Sequence, residues 1–463
     1  MQLATQLSRI SGVLLLLAGL SVAQQDTAPK GTGNKDAGTQ AMRPYPAAQG
    51  AGGASEQPGE ALEKVPDTRP PSGVLGLTLG SLKGRQNVIS LNFDVGQVFD
   101  SNPGILGRGS DYEGATSLRG DLSLRHAMRR GDLALDYQGG AVFYNDHTQT
   151  NWFPQLSFSV PFAMRRWTIY LAENLTYTPE GSYGAGLGFA DYGASVAQGG
   201  ITSNFTPQQN VFTPIASRLS STSAVQVQYG LSPRSSWTAG VSYGTLYFPD
   251  GGLENSHQIN VRSGYNRNLT ARDTVSFFYD YGTYKTEGIN LSTDSHAAQI
   301  AYTRRVTGRL SFSVSGGPQF VTQLGSTERS VSLTAASSVQ YQLRRTAATL
   351  SYFRGTSGGA GVLPGATSHT IQAGISRTIT RNLSVGTSGT ISKTTSLDGR
   401  TEFRSGGAGV QVRRAIGHRA SVYFTYAFQR QVSDGSCGLL CSGLSRQVFG
   451  FGFGWGPRPW IIR

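Results

Sequence analysis

The chain is 463 residues long, carries a formal net charge of +13, and is 38% hydrophobic and only 14% charged, with 61 glycines, 20 tyrosines and 21 phenylalanines. A soluble chain so poor in charge needs a larger apolar core than this composition supplies, whereas a membrane barrel needs only alternate residues apolar, because lipid covers its outer face. Mean hydropathy is −0.24, and no apolar run beyond residue 23 approaches the ~20 residues of a spanning helix, which excludes helical membrane spans.

Taken from the N-terminus, Arg9, the apolar stretch Ile10–Leu20 and the small-x-small site Ser21-Val22-Ala23 read as an export signal over residues 1–23. No cysteine follows that site, so lipid attachment there is not expected. Residues 24–86 are rich in Ala, Gly, Pro, Gln, Asp and Lys and lack periodicity, which predicts a disordered periplasmic segment. Its one apolar patch, Val74–Leu79, is a candidate for docking inside the barrel.

From Asn87 the pattern changes and persists to residue 463. Ile89, Leu91, Phe93 and Val95 alternate with Ser90, Asn92, Asp94 and Gly96, the period-two signature of a strand with one apolar face. The same alternation recurs in Leu133–Phe143, Trp237–Tyr247, Val275–Tyr281 and Phe449–Trp455. Connections alternate as well. Short ones carry basic residues: Met128–Gly131, Ser232–Arg234, Asn268–Arg272, Val306–Arg309, Arg344–Thr346 and Thr380–Asn382. Longer ones, rich in Gly, Ser, Asp and Asn, cover Ser101–Gly114, Asn145–Asn151, Pro179–Asn210, Pro249–Ser256 and Gly355–Ser368. This predicts an all-β fold, a transmembrane up-and-down antiparallel barrel of about 18 strands (roughly 16–20) over residues 87–463. Sandwiches and propellers distribute their connections differently. An even strand number places both termini on the periplasmic side.

Aromatic residues fall where strands meet connections: Trp167 and Trp237 after short turns, Trp152 after a long loop, Tyr247-Phe248 and Tyr281…Tyr284 before long loops. That is the placement of interfacial girdles. Much of the basic excess sits in and near short turns, at Arg129, Arg130, Arg165, Arg166, Arg234, Arg272, Arg304, Arg305, Arg309, Arg344, Arg345, Arg381, Arg413, Arg414 and Arg419, where periplasmic headgroups would attract it. These residues are not interleaved with aromatics on one surface, so nucleic-acid binding is not expected.

A barrel this size leaves an aqueous channel. By phase its wall includes Asp94, Arg119, Asp121, Arg125, Asp136, Arg262 and Asp280, with Arg119, Asp121 and Arg125 on one face of one strand. Such charges either set ion selectivity or pair across strands to keep the lumen ordered. Glu173 falls in the apolar phase of its strand, which implies a bulge or a shifted register. The Pro179–Asn210 loop is long enough to fold into the pore or to cap it. Cys437 and Cys441 lie close together and suit a local disulfide in an exported protein. No further Cys or His completes a metal site there, and neither metal nor cofactor is expected. The six histidines, His126, His147, His257, His296, His369 and His418, form no catalytic motif, so the chain does not read as an enzyme. A membrane hydrolase that assembles Ser and His from different strands is the reading spacing alone does not address.

At Phe99-Asp100-Ser101-Asn102 the sequence resembles the β-barrel porins associated with exopolysaccharide export, which often carry an aromatic-Asp-x-Asn element early in the barrel. The resemblance implies passage of polysaccharide or small solutes. Outer-membrane barrels also commonly end on an aromatic residue read by the barrel assembly machinery. Here Trp455 ends the last regular run, and Pro457 and Pro459 oppose its continuation. The expected function is an outer-membrane channel with membrane lipid as its surroundings. The alternative is a non-conducting scaffold or adhesin whose long loops bind partners. Oligomeric state is not legible in the sequence.

Overall fold

In the computed structural model the described residues are 87–101, 112–145, 150–178, 217–249, 253–287, 291–323, 329–357, 363, 365–417, 419–434 and 444–462. The export signal, the 24–86 segment with its Val74–Leu79 patch, the Pro179–Asn210 loop, Asp146, His147, His418, and Cys437 with Cys441 lie outside them.

The described residues form twenty strand segments: β1 (Asn87–Asp100), β2 (Glu113–Met128), β3 (Gly131–Tyr144), β4 (Thr150–Trp152), β5 (Gln155–Ala163), β6 (Trp167–Thr178), β7 (Arg218–Ser232), β8 (Ser235–Tyr247), β9 (Ser256–Asn268), β10 (Asp273–Thr286), β11 (Leu291–Arg305), β12 (Leu310–Gln323), β13 (Arg329–Gln342), β14 (Thr346–Ser357), β15 (Ala366–Thr380), β16 (Leu383–Ser396), β17 (Glu402–Ile416), β18 (Ala420–Asp434), β19 (Leu444–Trp455) and β20 (Trp460–Ile462). Two pairs of segments share a stave. β4 and β5 both pair with β3, on either side of Phe153-Pro154. β19 and β20 both pair with β1, on either side of Gly456–Pro459. The wall therefore has 18 antiparallel staves.

Sequence neighbours pair along the whole chain, and β1 closes the sheet on β19 from Phe93↔Trp455 to Asp100↔Val448. Closure leaves no edge, so every stave has a neighbour on both sides; in hydrocarbon, backbone groups have no other partner available. The connections at one end, the turn end, are all of two to four residues, such as Arg129-Arg130 and Leu269–Arg272. The longer ones lie at the other, the loop end. Asn87 and Ile462 pair with each other at the turn end. Thr270 and Thr307 explain two of the tight turns: each hydroxyl accepts the backbone N–H groups two and three residues on, at 3.0–3.1 Å.

Each stave turns its apolar phase outward. Phe93, Val95, Phe277, Tyr279, Ile300, Val331, Ile391 and Phe451 stand exposed on that face, as do Trp152, Trp167 and Trp237 at its margins. On the closing seam the outward side is aromatic, with Phe93 stacked on Trp455 and Phe99 on Phe451, both at 6.2 Å between ring centres. The inward side is glycine: Gly450, Gly452 and Gly454 lie opposite Val98, Gly96 and Asp94. Tyr423 of β18 reaches across this stripe, and a Cβ at Gly452 or Gly96 would collide with its hydroxyl.

Several sequence expectations change. Phe248 and Tyr284 are not girdle residues but point inward; Phe248 packs on Leu246, and Tyr284 donates to the Thr356 carbonyl at 3.4 Å. Arg413 is not in a turn; it lies within β17 and faces inward. Gly355–Ser357 and Ala366–Ser368 are paired strand, not loop. The stave of Trp455 does not end there, because a one-residue shift over Gly456–Pro459 brings Trp460 opposite Ile89 and resumes the pairing. Glu173 has neither a bulge nor a shifted register beside it. It faces outward, where Ser221 donates to it at 2.8 Å and Ser223 donates to its other oxygen.

Candidate functional site: the inner wall

The inner wall is built from the polar phase of each stave. The seven charged residues expected there all stand on it, and each has an oppositely charged neighbour. Arg119 pairs with Asp121 two residues along β2 (3.2 Å), and Gln138 of β3 donates to the same carboxylate at 2.9 Å. Arg125 reaches Asp136 of β3 at 2.9 Å. Arg262 and Asp280 lie directly opposite one another on β9 and β10 and form a two-pronged ion pair. Gln299 of β11 adds a bond to that carboxylate at 2.8 Å, while the guanidinium carbon sits 5.5 Å from the Phe278 ring centre. Asp94 lies opposite Arg119, 3.8 Å from Arg413, whose Nε donates to Ser421 at 3.1 Å. These contacts cross-link neighbouring staves of the wall.

The residues that sequence reasoning missed lie on the same wall. Arg446 of β19 donates through Nε and Nη2 to Asp100 Oδ2 of β1, at 3.0 and 2.8 Å, with side chains only 5% and 2% exposed. Ser101 continues the clasp: its N–H bonds the Gln447 carbonyl (2.9 Å), and its hydroxyl accepts the Gln447 N–H (2.8 Å). The Phe99–Asn102 element thus has a structural task in its described part, holding the seam shut at the loop end.

Exposure varies along the inner wall. At the turn end Arg125 and Asp136 are 45% and 43% exposed. Thr274 and Ser276 toward the turn end of β10 are buried, as are the inward Thr293, Ser368 and Thr394 at the loop end. Part of the reason is the tip of β14, which leaves β13 after Ala335↔Arg354 and bends into the barrel. There Thr356 donates to Gln319 of β12 at 3.2 Å and accepts from Tyr284 of β10. Three apolar clusters also stand inward at this level: Val98, Ala427 and Val448; Ala115, Val142 and Phe153; Leu246 and Phe248. Side chains thus pack against one another inside the loop end. Among the described residues no group of acidic, His and Cys side chains is placed to hold a metal ion.

A closed barrel with an apolar outer face and a polar, ion-paired inner face defines a membrane-spanning β-barrel of the porin-like class. In sequence, neither a protein-family profile nor a curated protein matches the chain. In structure it is similar to Pseudomonas aeruginosa OprD (11% identity, 85% of this chain and 99% of that one, TM-score 0.38) and OccK2 (10%, 80% and 98%, TM-score 0.38). It is likewise similar to Acinetobacter baumannii OccAB2 (7%, 82% and 100%, TM-score 0.41). Likeness at this level is that of one closed sheet to another and assigns no substrate.

Proposed function

We propose that the chain is a passive channel of the bacterial outer membrane, through which small solutes diffuse in a water-filled lumen. The observation that carries this reading is the inner wall itself. Its inward phase is polar and charged and is open to water in part, with Arg125 and Asp136 45% and 43% exposed and Arg119 and Asp121 22% each. Such groups are costly in an apolar interior and are satisfied by water. Asp94, Arg119, Asp121, Arg125, Asp136, Arg262, Asp280 and Arg413 would then bias which solutes pass. Both signs alternate on the wall, which favours neutral or zwitterionic solutes over a strongly charged class. Polysaccharide cargo gains nothing from the Phe99–Asn102 element, whose described residues are accounted for by seam closure.

The same architecture supports placement in the outer membrane, and insertion there by the barrel assembly machinery, since barrels of this kind occupy that membrane. The side chains packed inside the loop end favour a narrow or gated pore and also suit a non-conducting scaffold. Osmotic swelling of vesicles containing the folded protein separates the two. Entry of amino acids and monosaccharides, falling steeply with solute size, is expected. Vesicles with inserted protein that swell no faster than empty ones would overturn the channel reading.

A further inference from the structure

The outward surface at the loop end is not uniform. Across β14–β17 four basic side chains stand in one row: Arg354 lies opposite His369, His369 opposite Lys393, and Lys393 opposite Arg404. All share the outward phase with the exposed Leu350, Ile371, Ile391 and Val410. Each is within three residues of the loop end of its strand. Arg430 of β18 follows one rung lower, opposite Gly406. Elsewhere several outward positions near this end are apolar, as at Phe99, Phe143, Phe320 and Val331, while β9 and β10 carry the single basic pair His257 and Lys285.

Like charges directly opposite one another destabilise a strand pair, so this row is held at a cost. Two acidic groups face it. Glu402 bridges Lys393 (2.9 Å) and Arg404 (2.6 Å), and Asp434 lies 4.0 Å from Arg404. They leave the cations in excess and the two bridged ones accessible, with Lys393 49% and Arg404 64% exposed. Arg354 keeps a buried Nε with no acceptor. The Tyr352 hydroxyl lies 3.2 Å from His369 Nδ1 and fixes the imidazole in the row. Directly below run Tyr352, Leu350, Ile371 and Ile391, an apolar strip facing the hydrocarbon.

We propose that this row is a binding site for the phosphorylated headgroup of a membrane glycolipid, whose acyl chains lie on the strip beneath. The site rests on the reading above, in which the loop end faces the outer leaflet; there the phosphorylated lipid is lipopolysaccharide. Cations fixed side by side by Glu402 present spare N–H donors to phosphate oxygens, and the apolar strip recognises the chains of the same molecule.

The test uses the full folded chain in non-ionic detergent, with bound lipopolysaccharide counted by native mass spectrometry and affinity measured by titration. Neutralising the row (Arg354→Gln, Lys393→Gln, Arg404→Gln) is expected to weaken binding roughly tenfold to a hundredfold. Neutralising Arg344, Arg345 and Arg381 at the turn end is expected to leave binding unchanged. Dephosphorylated glycolipid is expected to bind as poorly as lipopolysaccharide does to the row variant. Should the triple variant not fold, Lys393→Gln alone reads the same contrast, because its half-exposed side chain is not needed for packing. Equal affinity of wild-type and row variants, or equal binding of the phosphorylated and dephosphorylated lipids, would overturn the site. Vesicle swelling does not depend on the row, so failure here and failure of the channel reading are separate results.

Discussion

Two ion pairs on the same wall should contribute very differently. Arg446 and Asp100 are almost fully buried, so Arg446→Ala strands a carboxylate away from water and is expected to cost about 3–5 kcal/mol. Arg125 and Asp136 are solvated and nearly half exposed, so Arg125→Ala is expected to cost about 0–1 kcal/mol. Urea unfolding of both variants in lipid vesicles checks the contrast; equal losses would mean that the loop-end seam is wetter than its burial implies. The seven expected lumen charges were legible because phase is local: once Phe93 faces out, Asp94 must face in. Arg446 was not, because its partner lies 346 residues away and meets it only when the sheet closes. Arg413 was hidden by its neighbour Arg414, a basic doublet that reads as a turn although the turn begins at Gly417. Glu173 shows the opposite case. Its phase was read correctly as outward, and two serines on β7, not a bulge, accommodate it.

At the scale of the element, the closing seam is the least redundant part of the wall. β1 and β19 meet through glycines inside and aromatics outside, and Tyr423 covers the glycine floor. Gly452→Leu has no room: a side chain there meets Tyr423, and its backbone neighbour Val95 as well. The expected outcome is loss of the compact, heat-modifiable band on unboiled gels, or a drop in unfolding free energy of about 1–3 kcal/mol if the wall adapts. A variant that migrates and unfolds like wild type would contradict the packing of this seam. Strand positions were readable because alternation repeats every two residues; the runs Leu133–Phe143 and Trp237–Tyr247 lie within β3 and β8. Strand ends were less readable. Gly355-Thr356-Ser357 has turn-like composition, and its pairing with Ala366–Ser368 of β15, together with contacts to Gln319 and Tyr284 on other staves, holds it as a strand tip. The prolines after Trp455 likewise suggested a stop, but backbone pairing resumes once they are passed.

For the whole molecule, much of the basic excess lies at two rims. Turn-end arginines form one basic rim, and the Arg354–Arg404 row forms a patch at the other. The sequence suggested the first alone, because a row across four strands has no signature along the chain. On the inner wall the charges largely cancel in pairs, so the pore should discriminate only modestly between small anions and cations. Arg413→Glu puts a second carboxylate near Asp94 and should shift the reversal potential toward cation selectivity. The account's central claim, a water-filled lumen across the membrane, is tested most directly by single-channel recording of the folded protein in a planar bilayer. The account predicts discrete conductance steps with weak selectivity that Arg413→Glu moves toward cations. Inserted, correctly folded protein that passes no current at any applied voltage would contradict it.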